Sequence, residues 1–150
     1  MDRQKFGGVL DFAIEREKEA VTFYNDLIKL TKSFDIMETI RTIELMERNH
    51  IKVIEKMKSQ EIGDVVIRPV NDLKISEYLV LPEEKAPYNY QDLLINAMKR
   101  EELSHKLYVS LAEEIGDTEV KKVFQKLASE EAKHKLTFEN LYDNDILVEN

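Results

Sequence analysis

At 150 residues the chain is long enough for one domain with a buried core, and its lack of cysteine excludes a disulfide framework, a thiolate zinc site and an iron–sulfur centre. A formal charge of −8 does not suit nucleic acid, whose phosphates need basic partners, and no apolar run approaches the length of a membrane span. With 43% hydrophobic and 35% charged residues the composition is that of a soluble helical protein, and Met1-Asp2-Arg3-Gln4-Lys5 carries no signal-peptide pattern, so a cytoplasmic location is expected.

The first helix is predicted over about residues 6–31, its start blurred between Lys5 and Val9 by Gly7 and Gly8. Its inner stripe is Leu10, Ala13, Glu17, Val21, Tyr24 and Ile28. A second helix over about 36–60 follows quickly, with Asp35 and Glu38 forming a capping box. Its stripe of Ile36, Ile40, Ile43, Glu47, His50, Ile54 and Met57 steps by four and three, as one face of an α-helix does. Residues 61–88 hold all three prolines and are far longer than a helical turn needs, which predicts a long crossover that makes helices two and three parallel.

A third helix over about 90–115 carries Leu94, Ala97, Glu101, His105, Tyr108 and Ala112. Gly116 stops it, and Asp117 or Thr118 caps a fourth helix over about 118–142. The fourth stripe is Val120, Phe124, Leu127, Glu131, His134, Phe138 and Leu141; the tail from Asp143 onward is expected to fray. The whole is an all-α, single-domain four-helix bundle over 1–150, made of two duplicated helical hairpins joined by the crossover.

The duplication carries the chemistry. A shift of 84 residues places Glu17 on Glu101, Glu47 on Glu131 and His50 on His134, so each half has a Glu and, 30 residues on, a Glu-x-x-His. In each hairpin the two acids lie level about the turn, roughly 20 Å from it. Four carboxylates facing a core need protons, basic side chains or metal to compensate them. No Lys or Arg occupies the interior positions of the four stripes, which favours metal. Two divalent cations would balance four Glu with two neutral His as nitrogen donors, an arrangement found in di-iron and di-manganese bundles. They would also bring the net charge to about −4.

Glu17 with Phe23-Tyr24, the run Met46-Glu47-Arg48-Asn49-His50, the run Met98-Lys99-Arg100-Glu101 with Leu107-Tyr108, and Glu130-Glu131-Ala132-Lys133-His134 resemble the helix signatures of the ferritin-like superfamily, in particular the di-iron domain of rubrerythrin-like proteins. The resemblance covers nearly the whole chain. It implies that Glu47 and Glu131 bridge two metals as the catalytic pair, that Glu17, His50, Glu101 and His134 are terminal ligands, and that Tyr24 and Tyr108 stand behind them. It further implies a non-haem di-iron oxidoreductase that reduces hydrogen peroxide or dioxygen. Rubrerythrins proper carry a further Glu three residues after the helix-three ligand, where this chain has Ser104, and usually a rubredoxin domain, so an external electron-donor protein is expected.

One Glu-x-x-His is weak evidence, but two in register with an upstream Glu are strong. The bland alternative is a duplicated bundle that keeps the residues without metal. Two iron ions are the expected cofactor, with manganese or zinc as alternatives. His105, one turn from Glu101, is expected to be a hydrogen-bonded histidine behind the site, with a seventh ligand or a proton relay as alternatives. Tyr24 and Tyr108, each two turns after a Glu, can reach a carboxylate on a facing helix. Glu15, Glu19, Glu44, Glu102, Glu113 and Glu114 are expected on solvated faces, while Glu44 and Glu130 are possible alternative ligands. A ferroxidase or iron-handling protein without turnover, and a structural-metal bundle acting through interactions, are the rival functions. Exposed apolar surface on long helices suggests a homodimer.

Overall fold

A computed structural model describes residues 3–59 and 89–147 of the protein. Among the described residues are four long helices: α1 (Arg3–Leu30), α2 (Phe34–Ser59), α3 (Tyr90–Glu114) and α4 (Thr118–Tyr142). They pack as two hairpins, α1 on α2 and α3 on α4, in a four-helix bundle. The expected crossover of residues 61–88 lies outside the described residues.

Helix boundaries follow local chemistry. Asn89 caps α3 by accepting from the Asp92 N–H, and Asp117 caps α4 by accepting from the Val120 N–H. α2 departs from the expected capping box, because it starts at Phe34, two residues before the expected boundary. Ser33 is the cap: its carbonyl accepts the first intrahelical bond from Met37 N–H and its hydroxyl oxygen receives Ile36 N–H at 3.4 Å. Asp35 then lies inside the first turn, where its charge favours the helix dipole.

Gly7 and Gly8 do not delay α1, which is helical from Arg3. Phe6 is fully buried and meets Phe124 edge-on with ring centroids 6.3 Å apart, so tertiary packing outweighs the low helix propensity of two glycines. The tail also differs from expectation. Asp143–Leu147 forms a π-helical turn, and Tyr90 O–H donates to Asp145 Oδ2 at 2.9 Å, tying that turn to the start of α3.

The core is two apolar clusters. One joins Phe6, Leu10 and Ala13 to Ile54, Met57, Leu111, Ile115 and Phe124. The other joins Phe23, Tyr24 and Leu27 to Ile40, Ile43, Leu94 and Phe138. The first cluster contains the C-terminal ends of both α2 and α3 with the N-terminal ends of α1 and α4. α2 and α3 therefore run in the same direction, as the predicted long crossover requires. Between the clusters lies a polar layer.

Candidate metal centre

That layer consists of Glu17 from α1, Glu47 and His50 from α2, Glu101 from α3, and Glu131 and His134 from α4. None of the six is more than 3% exposed. Each sits in mid-helix on an otherwise apolar stripe, so the burial that drives bundle formation carries the acids inward with it.

Ligand atoms from Glu17, Glu47, His50 and Glu131 all lie within 4.8 Å of one another, and so do ligand atoms from Glu47, Glu101, Glu131 and His134. The two groups interlock through Glu47 and Glu131. His50 Nδ1 is 3.0 Å from Glu131 Oε1 and 3.6 Å from both Glu17 and Glu47. His134 Nδ1 is 2.8 Å from Glu47 Oε1, 3.6 Å from Glu101 and 3.8 Å from Glu131. The imidazole rings lie 6.1 Å apart and nearly parallel.

Two tyrosines cross between α1 and α3 to hold the outer acids. Tyr108 O–H donates to Glu17 Oε1 at 2.5 Å, and Tyr24 O–H donates to Glu101 Oε1. Burial, reinforced by the surrounding glutamates, pushes both phenols well above their ordinary pKa, so each stays a donor. Their rings complete the apolar clusters: Tyr24 stacks on Phe138 and Tyr108 on Phe124.

Without a cation, protons must compensate the acids. Burial, together with the neighbouring carboxylates, pushes Glu47 and Glu131 well above the usual carboxylate range. Burial would also raise Glu17, but Glu47 and His50 beside it outweigh that and hold its carboxyl at about 2. Burial would lower both imidazoles, yet the neighbouring carboxylates raise His50 to about 11 and His134 to about 9. The arrangement stores protons on atoms that are also metal donors. Glu17 Oε2 and Glu101 Oε2 are buried with no hydrogen-bond partner, which a cation would satisfy. Carboxylate and imidazole donors in this ratio suit iron or manganese.

His105 belongs to neither group. It is partly buried, and its Nδ1 contacts the Ala128 carbonyl oxygen at 2.7 Å, which spends the ring on linking α3 to α4. Glu44, expected on a solvated face, is buried and receives Arg48 Nε–H at 2.8 Å. Arg48 lies one helical turn on and supplies the charge partner that allows this burial. Glu130 stands behind the site, with Oε2 2.5 Å from His50 Nε2. The repeat gave no signal for this contact, because the position matching Glu130 is Met46.

A cavity of about 20 Å³ opens between α1 and α3 beside Glu47, Glu101 and Glu131, enough for one water-sized molecule. Phe12, Arg16, Tyr24, Arg100 and Ser104 also line it. Arg16 lies over the Phe12 ring and Arg100 over Phe23, so both guanidinium groups are steadied by aromatic faces.

The rubrerythrin family profile matches residues 8–142. In structure the chain is similar to a hypothetical protein from Pyrococcus furiosus, with a TM-score of 0.71 and 25% identity, over 91% of this chain and 87% of that one. No curated protein matches the chain.

Proposed function

The chain belongs to the rubrerythrin family, and from that premise we propose that it is a non-haem di-iron oxidoreductase reducing hydrogen peroxide or dioxygen. The observation that carries this reading is the pair of four-residue ligand groups sharing Glu47 and Glu131. Glu17 and His50 would hold one ion, Glu101 and His134 the other, and the two shared carboxylates would set the distance between them.

When bound, the metal pair supplies the two electrons that reduction of a peroxide consumes. The protein does the rest. Tyr108 and Tyr24 fix the orientation of Glu17 and Glu101, and the apolar clusters above and below exclude water from the layer. The cavity beside the shared acids admits a water-sized molecule, and Tyr24 Oη keeps a proton at its wall. Ser104 lines that cavity where rubrerythrins proper place a Glu. Because the 150 residues hold no cysteine, electrons would come from a donor protein outside them.

The test is to reconstitute the protein anaerobically with iron(II), then follow its absorption after hydrogen peroxide or dioxygen is added to separate samples, with and without a reductant. Sustained oxidant consumption with the reductant supports the reading, and the faster oxidant identifies the substrate. A single round of iron oxidation would favour an iron-handling role, and iron that never changes oxidation state would favour a structural one.

A further inference from the structure

The internal repeat is broken at a pair of positions that contact the two site histidines. A shift of 84 residues superimposes all six acidic and imidazole residues on their own kind, but it superimposes Met46 on Glu130. Each of these residues immediately precedes a shared glutamate, and each faces the histidine of the opposite hairpin. Glu130 Oε2 lies 2.5 Å from His50 Nε2, whereas Met46 Sδ lies 3.3 Å from His134 Nε2.

Building on the dinuclear reading, we propose that the two metal positions are inequivalent and fill in order, the first ion entering the Glu17–His50 half because Glu130 braces His50 while only a thioether stands behind His134. Both histidines turn Nδ1 toward the acids, so Nε2 is the nitrogen left to carry the proton when Nδ1 donates its lone pair to metal. A carboxylate accepts that N–H strongly, which fixes the ring and makes Nδ1 a better donor. A thioether sulfur is a weak acceptor and contributes little of either effect.

Glu130 also brings a negative charge to one half alone. Its side chain is 18% exposed, so solvent screens that charge only in part. An ordinary surface acid on α4 would point to water; this one instead spans to α2 and ends on a histidine that is 1% exposed. Removing such a partner from a metal-bound histidine typically costs on the order of 10–100-fold in affinity.

The experiment is calorimetric titration of the metal-stripped 150-residue chain with manganese(II) and, separately, cobalt(II), neither of which requires the redox reaction. The wild type is expected to bind in two steps separated by at least about 10-fold. Glu130→Gln should weaken the tighter step by on the order of 10–100-fold, leave the other in place, and bring the two together. Met46→Glu should tighten the weaker step and merge the two from the opposite direction. In the cobalt protein the exchangeable His50 imidazole proton should give a shifted NMR line at one equivalent, and its exchange with water should quicken in Glu130→Gln. A general packing defect would not move that line selectively. Two equal ions insensitive to Glu130→Gln, or a variant that weakens both steps alike, would overturn the inference while leaving the dinuclear reading intact. A wild-type chain that binds no ion would sink both.

Discussion

Replacing Tyr108 by Phe deletes one oxygen from the polar layer and leaves the shape of the core intact. The ring still stacks on Phe124, at a centroid distance of 6.2 Å, so no cavity larger than the hydroxyl is made. What is lost is the 2.5 Å hydrogen bond to Glu17, whose other oxygen already lacks a partner. A hydrogen bond to a charged acceptor contributes about 1.5–3 kcal/mol, and an acceptor left dry costs its full desolvation. For a chain of this size that is a fall in Tm on the order of 3–12 °C. Chemical denaturation of the metal-free protein measures it, with Tyr90→Phe as control, because the Tyr90–Asp145 bond is only partly buried and should cost less than about 1 kcal/mol. Tyr24→Phe, which removes the matching bond to Glu101, should resemble Tyr108→Phe. If Tyr108→Phe costs no more than the control, the outer carboxylates do not depend on the crossed tyrosines and the account of the layer is wrong.

Metal binding should release protons, because His50 and His134 carry theirs at neutral pH and must give up the one on Nδ1 to coordinate. Affinity should therefore rise as pH is raised from 6 toward 9, and calorimetric heats should scale with the ionisation enthalpy of the buffer; a pH-independent affinity would contradict the proton-compensated layer. Gly8→Ala should stabilise the protein by about 0.5–1 kcal/mol, since the position is helical and exposed and an added Cβ meets nothing within 4 Å. Asp117→Ala should cost about 0.5–2 kcal/mol by removing the α4 cap, read as a shift in the denaturation midpoint without a change in slope.

The bundle was legible because its signal is local and repeated. The three-and-four spacing of apolar residues identifies the inner face of each helix, and the 84-residue repeat singles out Glu17, Glu47, His50, Glu101, Glu131 and His134 from many other acids. Contacts between helices were less visible. Periodicity puts Glu130 at the edge of its stripe, and only the packing of α4 on α2 brings it to His50. Glu44 stands four residues after Ile40 and three before Glu47, at the rim of the inner stripe, so its spacing allows burial, and Arg48 one turn away supplies the partner. Boundaries failed where two chemistries competed. Ser33 and Asp35 are both good caps, and the chain uses the earlier one; Gly7 and Gly8 argue against helix, but the burial of Phe6 against Phe124 prevails.

If Glu47 and Glu131 are shared between two metal positions, the number of bound irons must depend on each of them. Anaerobic titration with iron(II) followed by gel filtration and elemental analysis should find two irons per chain in the wild type and one or fewer in Glu47→Ala, because that side chain belongs to both ligand groups. Two irons held as tightly by Glu47→Ala as by the wild type would contradict it.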